Sequence, residues 1–436
     1  MKNREILLAR HGLRNADLSP GAEGTYAGKW LFETLKLMNS KGFTLEDIQE
    51  KEFLPLLNEA ARIVDGPGRE TLIHPLESDL PLTMMDPHIR GIVRWLNELG
   101  IYTIYSCDGH GNVRAKIDLL RPLTISQINL LKAAVPSSMR LEINGKKLYF
   151  YYNTVEELFQ VAENLYMLLE KPEYLMDLEA NHFKTRLITL LNIPGASQNE
   201  RRIRQFLQQK LRSLTDYMYT DQKGNLLAYQ YCGDGPTILL SAHMDTFEEI
   251  VADRVIIEEG TILKSSEGIL GADDRAGIAV ILEILAKIHH TNFNGTIKVA
   301  FTIEEEIGCR GARDIDPEFL EDVDGAIVID RRGTRDIVTS YANVFSFCNE
   351  EYGQLFEQAG RMAGMNDWRM TPGGLSDAKI FAEFGIPSVN LSAGYSFEHT
   401  DSETVNYKAT YETCKLVEAV LHNRLIPQKN QLIAAK

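Results

Sequence analysis

The sequence predicts an α/β protein, a mostly parallel sheet covered by helices, preceded by a smaller α+β N-terminal domain. Three observations carry this. From residue 183 onward, apolar strand-like runs alternate with helical patterns, as in parallel strands joined by crossover helices. Between 86 and 170 the order is helix, two strands, helix, two strands, helix, with Asn144-Gly145 between the last two strands, a hairpin signal implying antiparallel pairing. At 436 residues the chain is also too long for one ordinary core. The expected domains are 1–178 and 179–436.

Taken in order, residues 1–75 are helical and loop-rich. Apolar groups at helical spacing run through 30–38 and 53–64, punctuated by Gly21, Gly24 and Gly66-Pro67-Gly68. Arg10-His11-Gly12 resembles the phosphate-binding tripeptide of histidine phosphatases, but the rest of that pattern is missing and the tripeptide is read as incidental. Ile89, Ile92, Val93 and Leu96 make a helix face. Strands follow at 101–106 and 113–119, a helix at 125–134, strands at 140–143 and 148–152, and a helix at 155–169. The loop Ser106-Cys107-Asp108-Gly109-His110-Gly111 brings only two metal-ligand types, whereas structural zinc takes four ligands. Its glycines fit a tight turn, with ligand contact and metal binding as alternatives.

Residues 172–182 read as a connector. Helices are then expected at 183–191, 200–214, 276–288, 352–363 and 407–421, and strands at 217–220, 225–231, 237–240, 297–303, 326–329 and 386–391.

Composition excludes several classes. A net charge of −15 with no compensating Lys/Arg run argues against nucleic acid. No window approaches ~18 consecutive apolar residues, so no membrane span is expected. The first ten residues lack the apolar run of a secretory leader, and a cytoplasmic protein is expected. Five scattered cysteines argue against a disulfide framework.

In a sheet of this kind, ligands gather at the carboxyl ends of the strands. His243 and Asp245 end one apolar run, Glu304-Glu305-Glu306 follow another, and Asp330 ends a third; His399 lies in the loop after the strand at 386–391, and Asp273 in a glycine-flanked turn opening a helix. Asp273, Glu305, Glu306 and Asp330 would converge there as like charges, which is costly without cations. Two histidines and three carboxylates suit two divalent ions, Zn2+ or alternatively Co2+ or Mn2+, with one carboxylate bridging. Such a pair can share a hydroxide, leaving a surplus carboxylate as general base.

Leu-Ser-Ala-His-Met-Asp-Thr (240–246), Gly-Ala-Asp-Asp-Arg-Ala-Gly (271–277), Glu-Glu-Ile-Gly-x-x-Gly-Ala (305–312), Gly-Gly-Leu-Ser-Asp-Ala (373–378) and the late His399-Thr400 together resemble the co-catalytic di-zinc exopeptidases, nearest the peptidase T-like, tripeptide aminopeptidase branch. The resemblance covers about 183–425. It implies that His243 and Asp330 hold one metal, Glu306 and His399 the other, and Asp273 both. Asp245 would orient His243, and Glu305 would be the base, with Glu304 the alternative in this run of three. Asp377 is read as organising the loop or bordering substrate rather than binding metal, with a helix N-cap as the alternative.

The stretch 331–398 is too short for the lid domain such enzymes commonly insert, and the N-terminal domain is expected to take its place. The implied activity is aminopeptidase cleavage of small peptides. The alternatives are a deacylase, amidohydrolase or carboxypeptidase acting on N-acyl amino acids or another small amide, and a non-catalytic metal- or peptide-binding protein. Oligomerisation is left open.

Overall fold

The computed structural model describes residues 3–65 and 79–428; Gly66-Pro67-Gly68 lies outside them. The chain divides into two compact units, Met1–His182 and Phe183–Lys436.

The first unit opens with helices α1 (Asn3–Arg10), α2 (Tyr26–Ser40) and α3 (Glu50–Asp65). The Thr25 hydroxyl caps α2 by accepting the Gly28 N–H, and Leu8, Trp30, Leu31, Phe53 and Leu57 form an apolar cluster. Next come α4 (Arg90–Glu98), β1 (Thr103–Cys107), β2 (Arg114–Leu119), α5 (Ile125–Ala134), β3 (Arg140–Asn144), β4 (Lys147–Tyr151) and α6 (Val155–Glu170), in the expected order. The strands form an antiparallel sheet, β1-β2-β4-β3. Ala115, Ile117 and Leu119 alternate inward along β2 and pack with Phe150 of β4, Trp95 of α4 and Leu158 of α6, the half-buried pattern of a sheet covered on one face.

Helix α7 (Tyr174–Leu191) replaces much of the expected connector. After Pro172 its segment contains neither Gly nor Pro, so nothing stops the helix until the chain nears Pro194. The second unit continues through α8 (Arg201–Leu211), β5 (Tyr217–Thr220), β6 (Leu226–Tyr231), β7 (Thr237–His243), β8 (Ile256–Glu259), β9 (Ile262–Ser265), α9 (Ala272–Lys287) and β10 (Thr296–Thr302). Then come α10 (Arg310–Arg313), α11 (Pro317–Leu320), β11 (Gly325–Arg331), β12 (Asp336–Tyr341), β13 (Phe345–Ser346), α12 (Glu350–Met362) and β14 (Arg369–Gly373). The last elements are α13 (Asp377–Glu383), β15 (Ser388–Ser392), β16 (Tyr395–Ser396), β17 (Thr404–Asn406) and α14 (Tyr407–His422).

The large sheet runs β13-β12-β15-β11-β7-β10-β6-β5, with β14 beside β12. Its centre, β15-β11-β7-β10, is parallel, while β5 and β6 at one margin and β12 and β13 towards the other pair antiparallel. Short connections account for the β5–β6 and β12–β13 pairs: between β5 and β6 Asp221 accepts the Gly224 and Asn225 N–H groups in a tight turn, and only antiparallel strands can be joined so briefly. Residues of α10, α11 and α13 pack with Leu239, Ala300 and Ala326 of the sheet, and α9 lies along β7 and β11. A small sheet, β16-β17-β9-β8, was not expected from the sequence. Among the described residues no helix is long and apolar enough to cross a membrane.

Candidate metal centre

The parallel register sets the site. β7 is buried along its whole length and ends on His243, opposite Thr302, the last residue of β10. β11 lies on the other side of β7 and carries Asp330 near its carboxyl end. The loop after β10 presents the glutamates, and the turn before α9 carries Asp273. Helix α9 can lie this close to β11 because residue 277 is glycine: a Cβ there would stand 2.0 Å from the Ile329 carbonyl oxygen.

The two histidines meet at Asp273. His243 Nε2 lies 3.0 Å from Asp273 Oδ1, and His399 Nε2 lies 3.3 Å from Asp273 Oδ2, so each carboxylate oxygen faces one imidazole. His243 Nε2 is also 3.5 Å from Asp330 Oδ1, and His399 Nε2 is 2.8 Å from Glu306 Oε2. His243, Asp273 and Glu306 form one group able to hold a metal, and His243, Glu305 and Asp330 another. The buried Glu306 Oε1 accepts no hydrogen bond, a costly arrangement for a carboxylate unless a cation faces it. The donors thus fit divalent cations in kind and placement.

Asp245 does more than steer. His243 Nδ1 is 3.0 Å from the Asp245 backbone oxygen and 3.3 Å from its carboxylate, so the main chain is the nearer partner. The fully buried carboxylate also accepts the Ser197 hydroxyl at 2.7 Å and the Glu305 and Glu306 N–H groups at 3.1 and 3.2 Å. It therefore ties the glutamate loop to the histidine strand. Glu304 turns elsewhere, 3.6 Å from both Lys223 and Arg310. Asp377 begins α13 and accepts the Thr302 hydroxyl at 2.5 Å, anchoring that helix to the end of β10.

Burial and crowding shape the protonation states. Burial, then the Asp330 charge, pushes Glu305 well up. Burial raises Asp330 to about 7 despite its contact with His243. Burial also pushes Asp273 upward, but its hydrogen bonds with His243 and His399 outweigh that and hold it below the usual carboxylate range. Hydrogen bonds to Asp273 and Glu306 lift His399 to about 10.

Several supporting residues escaped the sequence reading. The buried Glu403 accepts the Gly271 N–H at 2.7 Å and the Asp273 N–H at 3.0 Å, fixing the turn that presents Asp273. Asp274 accepts the His243 and Gly277 N–H groups through its carboxylate. Buried Arg275 donates to the Met244 and Ile193 carbonyls. Tyr395 donates to Asp330 Oδ1 at 3.0 Å, and Phe247 stacks on the His399 ring at 4.4 Å between centroids. Asp274 and Arg275 sit inside a motif and were within reach; nothing local marks Glu403.

The C-terminal unit has the fold of the zinc exopeptidases, and its motifs resemble theirs. Residues 248–416 match the family model of the M42 glutamyl aminopeptidases, a span that includes Asp273, both glutamates, Asp330 and His399 and begins after His243. Over 85 residues the chain is 34% identical to the uncharacterized protein YqjE of Bacillus subtilis (strain 168), covering 19% of this chain and 23% of that protein. Over 106 residues it is 33% identical to peptidase T of Escherichia coli O1:K1 / APEC, covering 24% of each. The matched stretch thus spans less than a quarter of the length of these curated relatives. The fold is shared with the crystal structure of aminopeptidase PepT from Bacillus cereus ATCC 10987, at TM-score 0.50 and 18% identity, over 56% of this chain and 98% of that one.

Proposed function

We propose that the protein is a metal-dependent aminopeptidase acting on small peptides, with His243 and Asp330 holding one divalent cation, Glu306 and His399 a second, and Asp273 shared between them. The observation that carries this reading is Asp273, whose two oxygens each face a different histidine. When bound, the two cations supply a Lewis acid for the scissile carbonyl and an acidified water for the attack.

The chain's own groups do the rest. Glu305 takes the proton of the attacking water and returns it to the leaving amine, and its burial pushes the carboxyl above the usual carboxylate range. Cys309 donates its S–H to Glu305 Oε1 at 3.2 Å and limits the rotamers open to that carboxyl. Asp245 holds the Glu305 amide and the His243 ring in one frame, so base and ligand keep their spacing. Phe247 presses on His399 and restricts its ring.

The test is a panel of tripeptides, aminoacyl-anilides and N-acyl amino acids assayed with Zn2+, Co2+ or Mn2+. Metal-dependent release of amino-terminal residues is expected. Turnover confined to N-acyl amino acids would replace this reading with a deacylase, and metal binding without turnover of any compound would remove the enzyme.

A further inference from the structure

The end of β1 and the loop that follows it, together with Asp86 ahead of α4, bring together another group of side chains able to hold a metal. Asp86, Cys107 and His110 each place a donor atom within 4.8 Å of the others'. Asp86 lies well before the loop in sequence, which is why the Cys-x-x-His pair alone looked two ligands short.

We propose that Asp86, Cys107 and His110 bind one divalent cation of borderline softness, Zn2+ or its analogue Co2+, in the N-terminal unit. The chemistry of the set favours such an ion: thiolate, imidazole and carboxylate are its three usual protein donors, and three of them leave a fourth position for water or a ligand. Two donors bound to one tetrahedral ion at about 2.0–2.3 Å stand roughly 3.3–3.8 Å apart. His110 Nε2 is 3.9 Å from Asp86 Oδ2, too far for a hydrogen bond and close to that spacing. The His110 side chain, 73% exposed, has room to close the remaining gap.

The surroundings are arranged like the outer layer of a metal site. The other ring nitrogen, His110 Nδ1, lies 3.6 Å from Asp108 Oδ1, beyond hydrogen-bond length but within reach of the carboxylate–histidine relay that would fix the tautomer of a metal-bound imidazole once the ring turns toward the metal. Buried Asp108 is itself pinned: His88 Nδ1 lies 3.0 Å from Oδ2, the His110 N–H donates to Oδ1 at 2.9 Å, and Tyr152 donates to its carbonyl at 2.8 Å. The Asp108 N–H donates to Asp86 Oδ2 at 3.0 Å, orienting that ligand. The Gly109 N–H donates to Cys107 Sγ at 3.4 Å. Gly109, His110 and Gly111 are all left-handed, with φ of 92°, 48° and 88°, which folds the histidine back over the cysteine.

The test is a cobalt titration of the full-length protein under reducing conditions, followed by the thiolate-to-cobalt charge-transfer absorption in the near ultraviolet. The His/carboxylate ligands proposed for the C-terminal unit include no thiolate, so the band reports Cys107; Cys309→Ser serves as control for the thiol beside Glu305. Besides the two equivalents that the C-terminal ligands take up without such a band, one further cobalt equivalent is expected to bring the band in the parent protein and in Cys309→Ser, and the band is expected to vanish in Cys107→Ser. His110→Gln, at an exposed side chain that leaves the core untouched, is expected to weaken cobalt binding at this site at least tenfold. Absence of the band in the parent protein overturns the proposal. So does an undiminished band in Cys107→Ser, or unchanged affinity in a folded His110→Gln.

Discussion

Both units bury clusters of charged side chains, and the two clusters are built on opposite plans. In the N-terminal unit most buried ionisable groups face an oppositely charged or hydrogen-bonding partner, while fully buried Arg90 lies over the Trp30 ring beside Asn58 and His11. Arg94 pairs with both oxygens of Asp17 at 2.7 and 3.0 Å, Arg10 reaches Glu163, Glu156 and Glu50, and fully buried His11 lies 2.6 Å from Glu50 between Phe53 and Phe159. In the C-terminal unit four carboxylates crowd two histidines, and a buried oxygen of Glu306 faces nothing. A self-compensated cluster is structural scaffolding; one with surplus negative charge is completed only by a cation. The difference explains why Arg10-His11-Gly12 is part of a core rather than a phosphate site.

The largest test of the comparison lies within the second cluster. Asp273→Ala is expected to cost both cations together, because each histidine shares that carboxylate; equilibrium dialysis that still finds one tightly held ion per chain would separate the two halves of the site. Glu305→Gln is expected to keep the metals and lose roughly 10²–10⁴ in kcat. An active Glu305→Gln enzyme would pass the base role to another residue, although Glu304, engaged with Lys223 and Arg310, is poorly placed for it.

The first cluster predicts a pH effect. Burial lowers His11 from 6.5 to about 4 against the pull of Glu50. Between those values the unfolded chain binds a proton that the folded chain refuses, so stability falls as pH falls through that window. The loss between pH 7 and pH 5 is about 2 kcal/mol from this group. Urea unfolding followed by the fluorescence of Trp30 and Trp95, both buried in this unit, measures it. His11→Gln is expected to flatten the acid limb; an unaltered limb would mean that other groups govern it.

The residues proposed as metal ligands were legible because each follows an apolar strand or sits in a glycine-marked turn, and strand order then brings their side chains together. The parallel centre of the sheet was legible for the same reason. Its antiparallel margins and the β8–β9 hairpin were not, since Ile256–Glu259 and Ile262–Ser265 are short and half exposed, with little apolar periodicity to show. Glu403 was beyond reach for another reason: it accepts main-chain N–H groups from residues some 130 positions away, and no local pattern encodes such a partner. Asp86 was missed likewise, although its neighbours Cys107 and His110 stood out.

The smallest effect discriminates best between the two plans, because it changes sign. Asp330→Asn keeps the shape of the side chain and an oxygen able to accept from Tyr395, but removes one charge from the crowded carboxylates. In metal-stripped protein near pH 8, where burial opposes the ionised form of Asp330, the substitution is expected to raise the melting temperature of the C-terminal unit by about 2–4 °C, equivalent to about 1 kcal/mol. In metal-loaded protein it is expected to lower it, since a ligand is lost and the binding energy that stabilised the fold falls with it. Glu50→Gln in the compensated cluster is expected to destabilise its unit under both conditions, because buried His11 then loses its carboxylate partner and Arg10 one of three. Calorimetry with and without metal reads all four cases. A metal-free Asp330→Asn protein that melts lower than its parent would show that the carboxylate cluster is already compensated from within, and the distinction between the two clusters would collapse.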